Sequence, residues 1–325
     1  MKKFIATTTI NNLEKTSYTY FTKNHPDWTL VISGDSKTDD SIYEKFAKDN
    51  KNVVYLSLDD QKKMYSDLHF ILKENTDTRK MFSIYYAYTQ GADVIALVDD
   101  DNYPIRAWGQ NILVGKQSRY TCYFLDRVNA QTVDPIFIVK QHPYVWHRGY
   151  PLKQLKFRKF VKKKQVKVTP YVQTNLWYGE PDVDGICRLL KSTEDFFSTD
   201  SNMSVCPFVT LRFSPFNSQN TILHRRIVPY YFLFSSLGRM SDIWISYYIE
   251  SLFKDPIVVY DKPTVFQRRN PHDIILDIVN EKNGYYNNEK LLSDISKDSS
   301  LFFNYITSDE KTFYLEYLDK MRKLL

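Results

Sequence analysis

The sequence predicts an α/β protein with a doubly wound, mostly parallel sheet, helices on both faces of that sheet and a helical tail at the C-terminus. Short apolar runs recur through the first hundred or so residues, and segments with apolar residues at helical spacing separate them. A stripe of aromatic and apolar residues at helical spacing closes the chain. Continuous apolar runs alternating with helical patterns are typical of parallel strands covered on both faces, joined by right-handed connections.

Each element follows from its own pattern. Strands are predicted at residues 4–10, 28–33, 53–58 and 94–98, and helices at residues 40–49 and 78–90. After residue 101 the pattern is irregular until a predicted helix at 242–252 and a strand at 257–260. In the predicted tail, the apolar stripe is made of Phe313, Tyr314, Tyr317, Leu318, Met321 and Leu325. We expect this stripe to pack on the core rather than to bind a partner.

Composition and cysteine content restrict the class of protein. The chain has 325 residues, 43% of them hydrophobic, which is enough to bury a substantial core. Its three cysteines lie far apart without a CxxC pair, which argues against a disulfide framework or a zinc site. No apolar run approaches the roughly 18 residues of a membrane span, and threonines interrupt the apolar start of the chain. We therefore expect a soluble, cytoplasmic protein; its oligomeric state does not follow from the sequence.

The net charge of +6 is unevenly distributed. One basic run contains no acidic residue: Lys153, Lys156, Arg158, Lys159, Lys162, Lys163, Lys164 and Lys167. Such a run is usually a solvated face or a loop. The alternative is a patch that binds an anionic acceptor, a membrane surface or nucleic acid.

Polar residues follow four of the predicted strands, where ligands of open α/β sheets bind. They are Thr8 and Thr9, Asp35 and Lys37, Ser57, and the triplet Asp99, Asp100 and Asp101. Asp35 is positioned to accept a hydrogen bond from a nucleotide base, and Lys37 to lie near phosphate, although a Gly-Asp pair also occurs in plain turns.

The aspartate triplet is the most informative of these groups. Three adjacent carboxylates repel one another, and a cation or solvent must screen them. Hard oxygen ligands that leave coordination sites for phosphate suit Mg²⁺ or Mn²⁺. Because residues i and i+2 of extended backbone face the same side, we expect Asp99 and Asp101 to converge on one ion and its nucleotide. The alternative is a solvated acidic turn.

Two basic residues, Arg79 and Lys80, begin the helix that precedes the triplet strand. A guanidinium and an ammonium group at this point are placed to reach a ribose or a diphosphate. Taken alone, they are also compatible with ordinary surface charges.

The sequence resembles a known family at this point. Asp-Thr-Arg-Lys at 77–80, Tyr-Tyr-Ala-Tyr at 85–88, Gly-Ala-Asp at 91–93 and Val-Asp-Asp-Asp-Asn at 98–102 are similar to the core of the STELLO-type glycosyltransferase-like proteins. The reversibly glycosylated polypeptides, which act as UDP-arabinopyranose mutases, are more distantly similar. Further similar segments follow in the same order at residues 146–152, 172–189, 215–221 and 238–244.

The resemblance implies a fold and a reaction. The fold is GT-A, with a domain at 1–275 made of a nucleotide-binding half (about 1–102) and an acceptor half (about 103–275), followed by a helical extension at 276–325. The implied activity is metal-dependent transfer of a sugar from a nucleotide-sugar donor, most often UDP-linked, to an unidentified acceptor, with Mn²⁺ or Mg²⁺ as cofactor. The basic segment after Leu152 departs from the mutase pattern.

The resemblance also implies roles for individual residues. Asp99 and Asp101 would serve metal and ribose, with Asp100 as an alternate ligand. His272 resembles the late metal-binding histidine of GT-A enzymes, but a lone histidine is more often structural. Asn217 and Gln219 are suited to sugar hydroxyl groups or to fixing a buried loop.

The catalytic roles leave alternatives open. Asp242 at a helix start is either the general base that takes the acceptor's proton or a helix cap. Asp182 and Asp184 compete for the role of base. Arg148 has three interpretations: a diphosphate contact, a structural ion pair, or the counterpart of the arginine that is glycosylated in mutase-type relatives.

Two other functions remain as alternatives to glycosyl transfer. One is a nucleotide-sugar mutase of the UDP-arabinopyranose type, which needs no acceptor. The other is a non-catalytic scaffold that keeps the fold, against which the intact aspartate triplet argues.

Overall fold

A computed structural model describes residues 1–126, 132–190, 203–269 and 273–325. The α/β class is confirmed, since these residues form one large mixed sheet with helices packed on it. The strands are β1 (Lys3–Thr8), β2 (Thr29–Ser33), β3 (Val53–Leu56), β4 (Val94–Leu97), β5 (Asn102–Pro104), β6 (Ser118–Leu125), β7 (Val161–Val168), β8 (Val172–Gly179), β9 (Phe208–Thr210), β10 (Thr221–His224) and β11 (Val258–Gln267).

The sheet combines a parallel part with a mixed part. The first four strands are parallel, in the order β3-β2-β1-β4. The sheet continues β10-β8-β11-β9-β6-β7, with β10 antiparallel to both β4 and β8, and β11 parallel to β8. Strand β5, which follows the aspartate triplet, pairs with β11. The N-terminal part thus has the predicted doubly wound arrangement.

The helices are α1 (Tyr18–Asn24), α2 (Asp40–Asp49), α3 (Leu58–Met64), α4 (Ser66–Ile71), α5 (Lys80–Thr89), α6 (Pro135–Lys140), α7 (Gly185–Leu190), α8 (Ser241–Ser251), α9 (Ile274–Lys297) and α10 (Ser308–Arg322). Short 3-10 helices lie at Leu13–Lys15, Asp77–Arg79, Leu152–Phe160, Val228–Tyr230, Ser235–Met240 and Ser299–Tyr305. None of the helices in the described ranges is long and apolar enough to cross a membrane.

Helices cover both faces of the parallel part. Thr7 of β1 contacts Tyr18 of α1, with 3.0 Å between the two hydroxyl oxygens. Ser33 of β2, in register with Thr8, contacts Ser83 of α5 at 2.7 Å. Because neighbouring residues of a strand face opposite sides of a sheet, α1 and α5 lie on opposite faces.

The predicted tail is helical and packs on the core. Helix α10 buries Phe313, Tyr314, Tyr317 and Met321. The hydroxyl of Tyr88 in α5 donates a hydrogen bond to the carbonyl oxygen of Met321. Docking of the stripe is therefore confirmed, except that the terminal Leu325 is exposed.

The three cysteines, Cys122, Cys187 and Cys206, are free, which agrees with the argument against a disulfide framework, and all three are buried. Burial raises the pKa of the Cys206 thiol to about 12 and that of Cys122 to about 11. These thiols therefore behave as small apolar side chains at neutral pH.

Candidate functional site

A cavity of about 360 Å³ lies beyond the carboxyl ends of β1, β2 and β4. These strands are parallel, so the residues that follow them meet at one edge of the sheet. The lining residues are Thr8, Thr9, Ile10, Asn11, Asp35, Asn75, Thr76, Asp77, Asp99, Asp100, Asp101, Arg148, Asp182, Ser218, Gln219, Arg239, Asp242 and Arg269. The cavity therefore gathers most of the residues that the sequence analysis singled out.

The aspartate triplet forms a turn directly after the buried strand β4, and each carboxylate has its own partners. Asp99 accepts from Lys80 Nζ at 2.6 Å and from Gln219 Nε2 at 2.5 Å. Asp100 accepts from Thr9 Oγ1 at 2.5 Å and from Asn11 Nδ2 at 2.9 Å. The backbone turns here, with the Asn102 N–H bonded to the Asp99 carbonyl. The expectation that the triplet is extended, with Asp99 and Asp101 on the same side of a strand, is therefore wrong. The triplet reaches the cavity through a turn.

Asp101 is the least compensated carboxylate of the triplet. Among the described residues, its oxygens receive only the Gln267 amide, at 3.2 and 3.3 Å, and a 3.4 Å contact from Asn102. Burial, together with the charge of Asp99, raises the pKa of Asp101 to about 8, against the opposing effect of Arg269.

The donor set fits one kind of metal site and not another. In the described part of the chain, no three His, Cys, Asp or Glu side chains are grouped so that they could hold a metal ion. His272 lies outside the described residues. A cation held by one or two carboxylates, with phosphate and water completing its coordination, is the usual form for Mg²⁺ with nucleotides. Asp99 and Asp101 would suit that form, whereas the described residues offer no ligand set for a fully protein-coordinated metal.

Arg148 is the centre of a buried ion-pair cluster in the cavity wall. Its Nε donates to Asp182 at 3.0 Å, and its Nη1 and Nη2 donate to Asp242 at 3.0 and 2.8 Å. Nη1 also donates to the carbonyl oxygen of Arg239. These bonds leave little donor capacity for a ligand. Of the three interpretations of Arg148, the structure shows the ion pair.

Asp182 is held ionised by two cations. Although burial alone would raise its pKa, Arg148 and Arg269 hold the pKa of Asp182 well below its usual range. Arg269 Nη2 lies 3.2 Å from the carboxylate. An acid held in this way is a poor proton acceptor, which argues against Asp182 as general base.

Asp242 lies in the first turn of α8 without acting as its cap. Besides the two bonds from Arg148, its carboxylate accepts the backbone N–H groups of Ser218 at 3.1 Å and Ile243 at 2.9 Å. Four donors therefore occupy its two carboxylate oxygens, which leaves Asp242 little capacity to contact an acceptor hydroxyl.

Asp77 lines the cavity, although the sequence analysis did not single it out as a site residue. Its side chain has no hydrogen bond or ion pair within the described ranges. Although the carboxylate is accessible to solvent, the cavity wall surrounds it, and this desolvation together with the charge of Asp242 raises its pKa to about 6. The available signal was an acidic residue just ahead of Arg79 and Lys80 at the start of α5.

Two buried acceptors in the cavity lining have no hydrogen-bond partner in the part of the chain that the structure describes. They are Asp35 Oδ2, in a residue that is 3% exposed, and Gln219 Oε1. Native proteins rarely leave such atoms unsatisfied, so a donor on a bound molecule is the natural complement. Thr8, by contrast, uses its hydroxyl on the carbonyl oxygen of Ser33.

Two predicted residues lie behind the cavity wall instead of lining it. Lys80 is 1% exposed and reaches Asp99 and the Ser218 carbonyl oxygen. Asn217 is fully buried and donates to Asp182 at 2.6 Å. Both orient cavity residues, and neither is placed to touch a ligand directly.

Three predicted residues lie away from the cavity. Arg79 is fully buried. Its guanidinium stacks on the Phe82 ring and donates to the Gln61 side chain of α3 instead of entering the cavity. Lys37 is exposed on the turn after β2. Asp184 accepts the Ile186 N–H at the start of α7 and a bond from Tyr285. Burial and the adjacent Glu281 raise its pKa to about 7.

Other lining residues were not predicted as site residues: Ile10, Asn11, Asn75, Thr76, Arg239 and Arg269. Ile10 ends a predicted strand and Arg239 lies in the 3-10 helix Ser235–Met240, while the others come from loops, where sequence pattern carries little information. Arg239 is tied to Glu281 at 3.1 Å and to Asp277 at 3.4 Å, and both acids belong to α9.

The basic run lies away from the cavity. Its C-terminal part forms β7, six strand positions from β4, which at about 4.8 Å per strand is about 29 Å along the sheet. Arg158 is buried and pairs with Asp134 at 2.9 Å, and Lys162 pairs with Asp126. An anionic acceptor bound to β7 would therefore be remote from the aspartate triplet.

No family model matches this chain, and no curated protein matches it. The resemblance to STELLO-type proteins therefore stays a prediction, and the functional argument rests on the cavity.

Proposed function

We propose that this protein is a glycosyltransferase that depends on Mn²⁺ or Mg²⁺. It would transfer a sugar from a nucleotide-sugar donor, with a UDP-sugar as the first candidate, to an acceptor. The observation that carries the proposal is the cavity at the carboxyl ends of β1, β2 and β4, into which the aspartate triplet projects. Edges of this kind are the usual nucleotide sites of α/β sheets.

The charge balance of the cavity supports a role for a cation. The lining contains seven aspartates and three arginines. All three arginines are already paired with acids, while Asp35, Asp77 and Asp101 have no ion-pair partner in the described ranges. A diphosphate next to these carboxylates would be repelled unless a divalent cation lay between them. When bound, such a cation neutralises charge that develops on the leaving diphosphate.

The chain's own residues supply the contacts to the donor. Asp99 and Asp101 would hold the cation, and Lys80 fixes the orientation of Asp99. The unpartnered Asp35 Oδ2 is positioned to accept a hydrogen bond from the base or ribose, and Gln219 Oε1 from a sugar hydroxyl. Arg269 offers a guanidinium group to a phosphate oxygen.

Asp77 is the best-placed general base for the acceptor. The acceptor hydroxyl forms a bond to the anomeric carbon, the bond to the diphosphate breaks, and the hydroxyl proton must go to a base. Asp77 is an unpaired carboxylate with a pKa of about 6, whereas Arg148 engages both carboxylate oxygens of Asp242. Asp242 then serves to hold Arg148 and the Ser218 backbone in place.

Incubation with a panel of UDP- and GDP-sugars plus Mn²⁺ tests the proposal. We expect release of free nucleotide from at least one donor, at a rate that falls when a chelator removes the metal. A changed sugar ring without release would indicate the mutase instead. If neither free nucleotide nor a changed sugar ring forms at any metal concentration, both activities are contradicted and the non-catalytic scaffold remains.

A further inference from the structure

A second concave surface lies beside the aspartate triplet, on the other side of the loop that follows β1. This groove encloses about 680 Å³ and is separate from the cavity described above. Its lining includes Tyr20, Tyr103, Arg268, Asn12, Glu14 and Thr19.

The groove is attached to the triplet turn by two backbone hydrogen bonds. The N–H of Ser17, which precedes α1, bonds the Asp100 carbonyl oxygen at 2.7 Å. The N–H of Arg268 bonds the Asp101 carbonyl oxygen at 3.1 Å. The groove wall is therefore fixed relative to the carboxylates.

Neighbouring residues divide between the groove and the cavity. Asn11 lines the cavity and Asn12 the groove, and in the same way Arg269 lines the cavity and Arg268 the groove. These two backbone segments therefore form a wall that the groove and the cavity share.

Two tyrosine rings give the groove an apolar platform. The Tyr20 and Tyr103 ring centroids are 5.4 Å apart at 73°, and Tyr20 is 51% exposed. The Arg268 guanidinium lies 5.0 Å from the centre of the Tyr103 ring and holds it in place. An aromatic ring left half in solvent beside a groove is a ready contact surface for a ligand with an apolar face.

Polar side chains surround this platform. Asn12, Glu14 and Thr19 make no side-chain hydrogen bond with other parts of the described chain. Their donors and acceptors are free for a ligand rich in hydroxyl groups. The opposite charges of Glu14 and Arg268 leave the groove without a strong preference for an anion or a cation.

We propose that this groove is the acceptor subsite and that it binds a neutral saccharide chain. A pyranose ring has an apolar C–H face that packs on the Tyr20 ring and a rim of hydroxyl groups that bonds the polar side chains. This inference rests on the proposed glycosyl transfer, since it names the acceptor class for that site, and its binding test needs no donor.

Saturation-transfer NMR with cellotetraose, maltotetraose and mannotetraose tests the subsite. We expect wild-type protein to saturate ring protons of at least one of them, with a signal at least about 5-fold weaker for Tyr20→Ala. Tyr20→Trp, which keeps an aromatic face, should restore it and so exclude a simple folding defect. The matched control is Tyr286→Ala, which removes a tyrosine that is 77% exposed on α9. Saturation of none of the three, or equal saturation of wild type and Tyr20→Ala, overturns the subsite.

Donor hydrolysis by the wild-type protein separates the two proposals. Saccharide binding at Tyr20 without any nucleotide release would contradict the proposed transferase activity but not saccharide binding in the groove. Nucleotide release without saccharide binding would contradict the proposed subsite but not the transferase activity.

Discussion

Arg148 and Asp242 form a two-point ion pair in the cavity wall, with guanidinium nitrogens 3.0 and 2.8 Å from the two carboxylate oxygens. The same guanidinium bonds Asp182 through Nε. One side chain thus joins α8 to the segment between β8 and α7 and sets the shape of the cavity.

Replacing Arg148 by Ala should destabilise the fold. Two buried carboxylates would lose their main cation, and breaking a buried pair in this way costs about 3–5 kcal/mol. Urea unfolding followed by circular dichroism measures the change. The control Arg119→Ala removes an exposed arginine of β6 and should change the free energy of unfolding by no more than about 0.5 kcal/mol. A decrease of less than about 1 kcal/mol in the free energy of unfolding of Arg148→Ala would show that the ion-pair cluster does not stabilise the fold.

Replacing Asp77 by Asn should lower sugar transfer by about 100-fold or more, because the amide cannot accept the acceptor's proton. In the wild type the base must be ionised, so the transfer rate should rise with pH through about 6 and fall below it. The charged groups that act on Asp77 are Asp242, Asp99, Lys80 and Arg148. The pH profile of kcat/KM is the measurement.

The matched variant Asp242→Asn distinguishes the two candidate bases. This variant should keep the rise of kcat/KM with pH near 6 and should instead be less stable, since it weakens the pair with Arg148. If Asp242→Asn abolishes this rise in kcat/KM while Asp77→Asn keeps it, Asp242 is the base, as the sequence analysis first suggested.

The fold of the N-terminal half followed from the sequence because its signals are local. Helix α2 begins and ends where the pattern placed it, and the first four strands agree within a few residues. Apolar periodicity reports burial, and burial on both faces is what a parallel sheet imposes. The later strands escaped prediction because β6, β7, β9 and β10 depend on long-range pairing, and β7 is exposed and rich in lysine.

The candidate site was predictable only where residues follow strands. Thr8, Thr9, Asp35 and the triplet reach the cavity because parallel strands end at one edge. Arg79 and Lys80 are adjacent in sequence, yet one points into the packing and the other to Asp99. The direction of a side chain on a helix depends on what packs around it, which a single sequence does not reveal.

The docking of the tail yields a stability prediction. Tyr317 of α10 is fully buried, with its ring centroid 5.2 Å from that of Phe232, and its hydroxyl has no hydrogen-bond partner among the described residues. Tyr317→Ala should therefore cost about 3–5 kcal/mol through the cavity it creates. Tyr317→Phe should be neutral or slightly stabilising, because it removes an unsatisfied buried group.

Thermal and urea unfolding check both variants. Leu315→Ala on the same helix, where the side chain is 46% exposed, serves as control and should cost much less. Equal stability of Tyr317→Ala and wild type would mean that α10 does not contribute to the core.

Calorimetric titration with UDP, with and without Mn²⁺, tests the central claim most directly. The account predicts that Mn²⁺ tightens UDP binding by at least about 10-fold, which is about 1.4 kcal/mol, because the cation relieves the repulsion between diphosphate and carboxylates. Asp101→Asn should remove most of this metal dependence, while the exposed control Asp59→Asn should keep it. Equal affinity for UDP with and without Mn²⁺, or full metal dependence in Asp101→Asn, would contradict a metal–nucleotide site at the aspartate triplet.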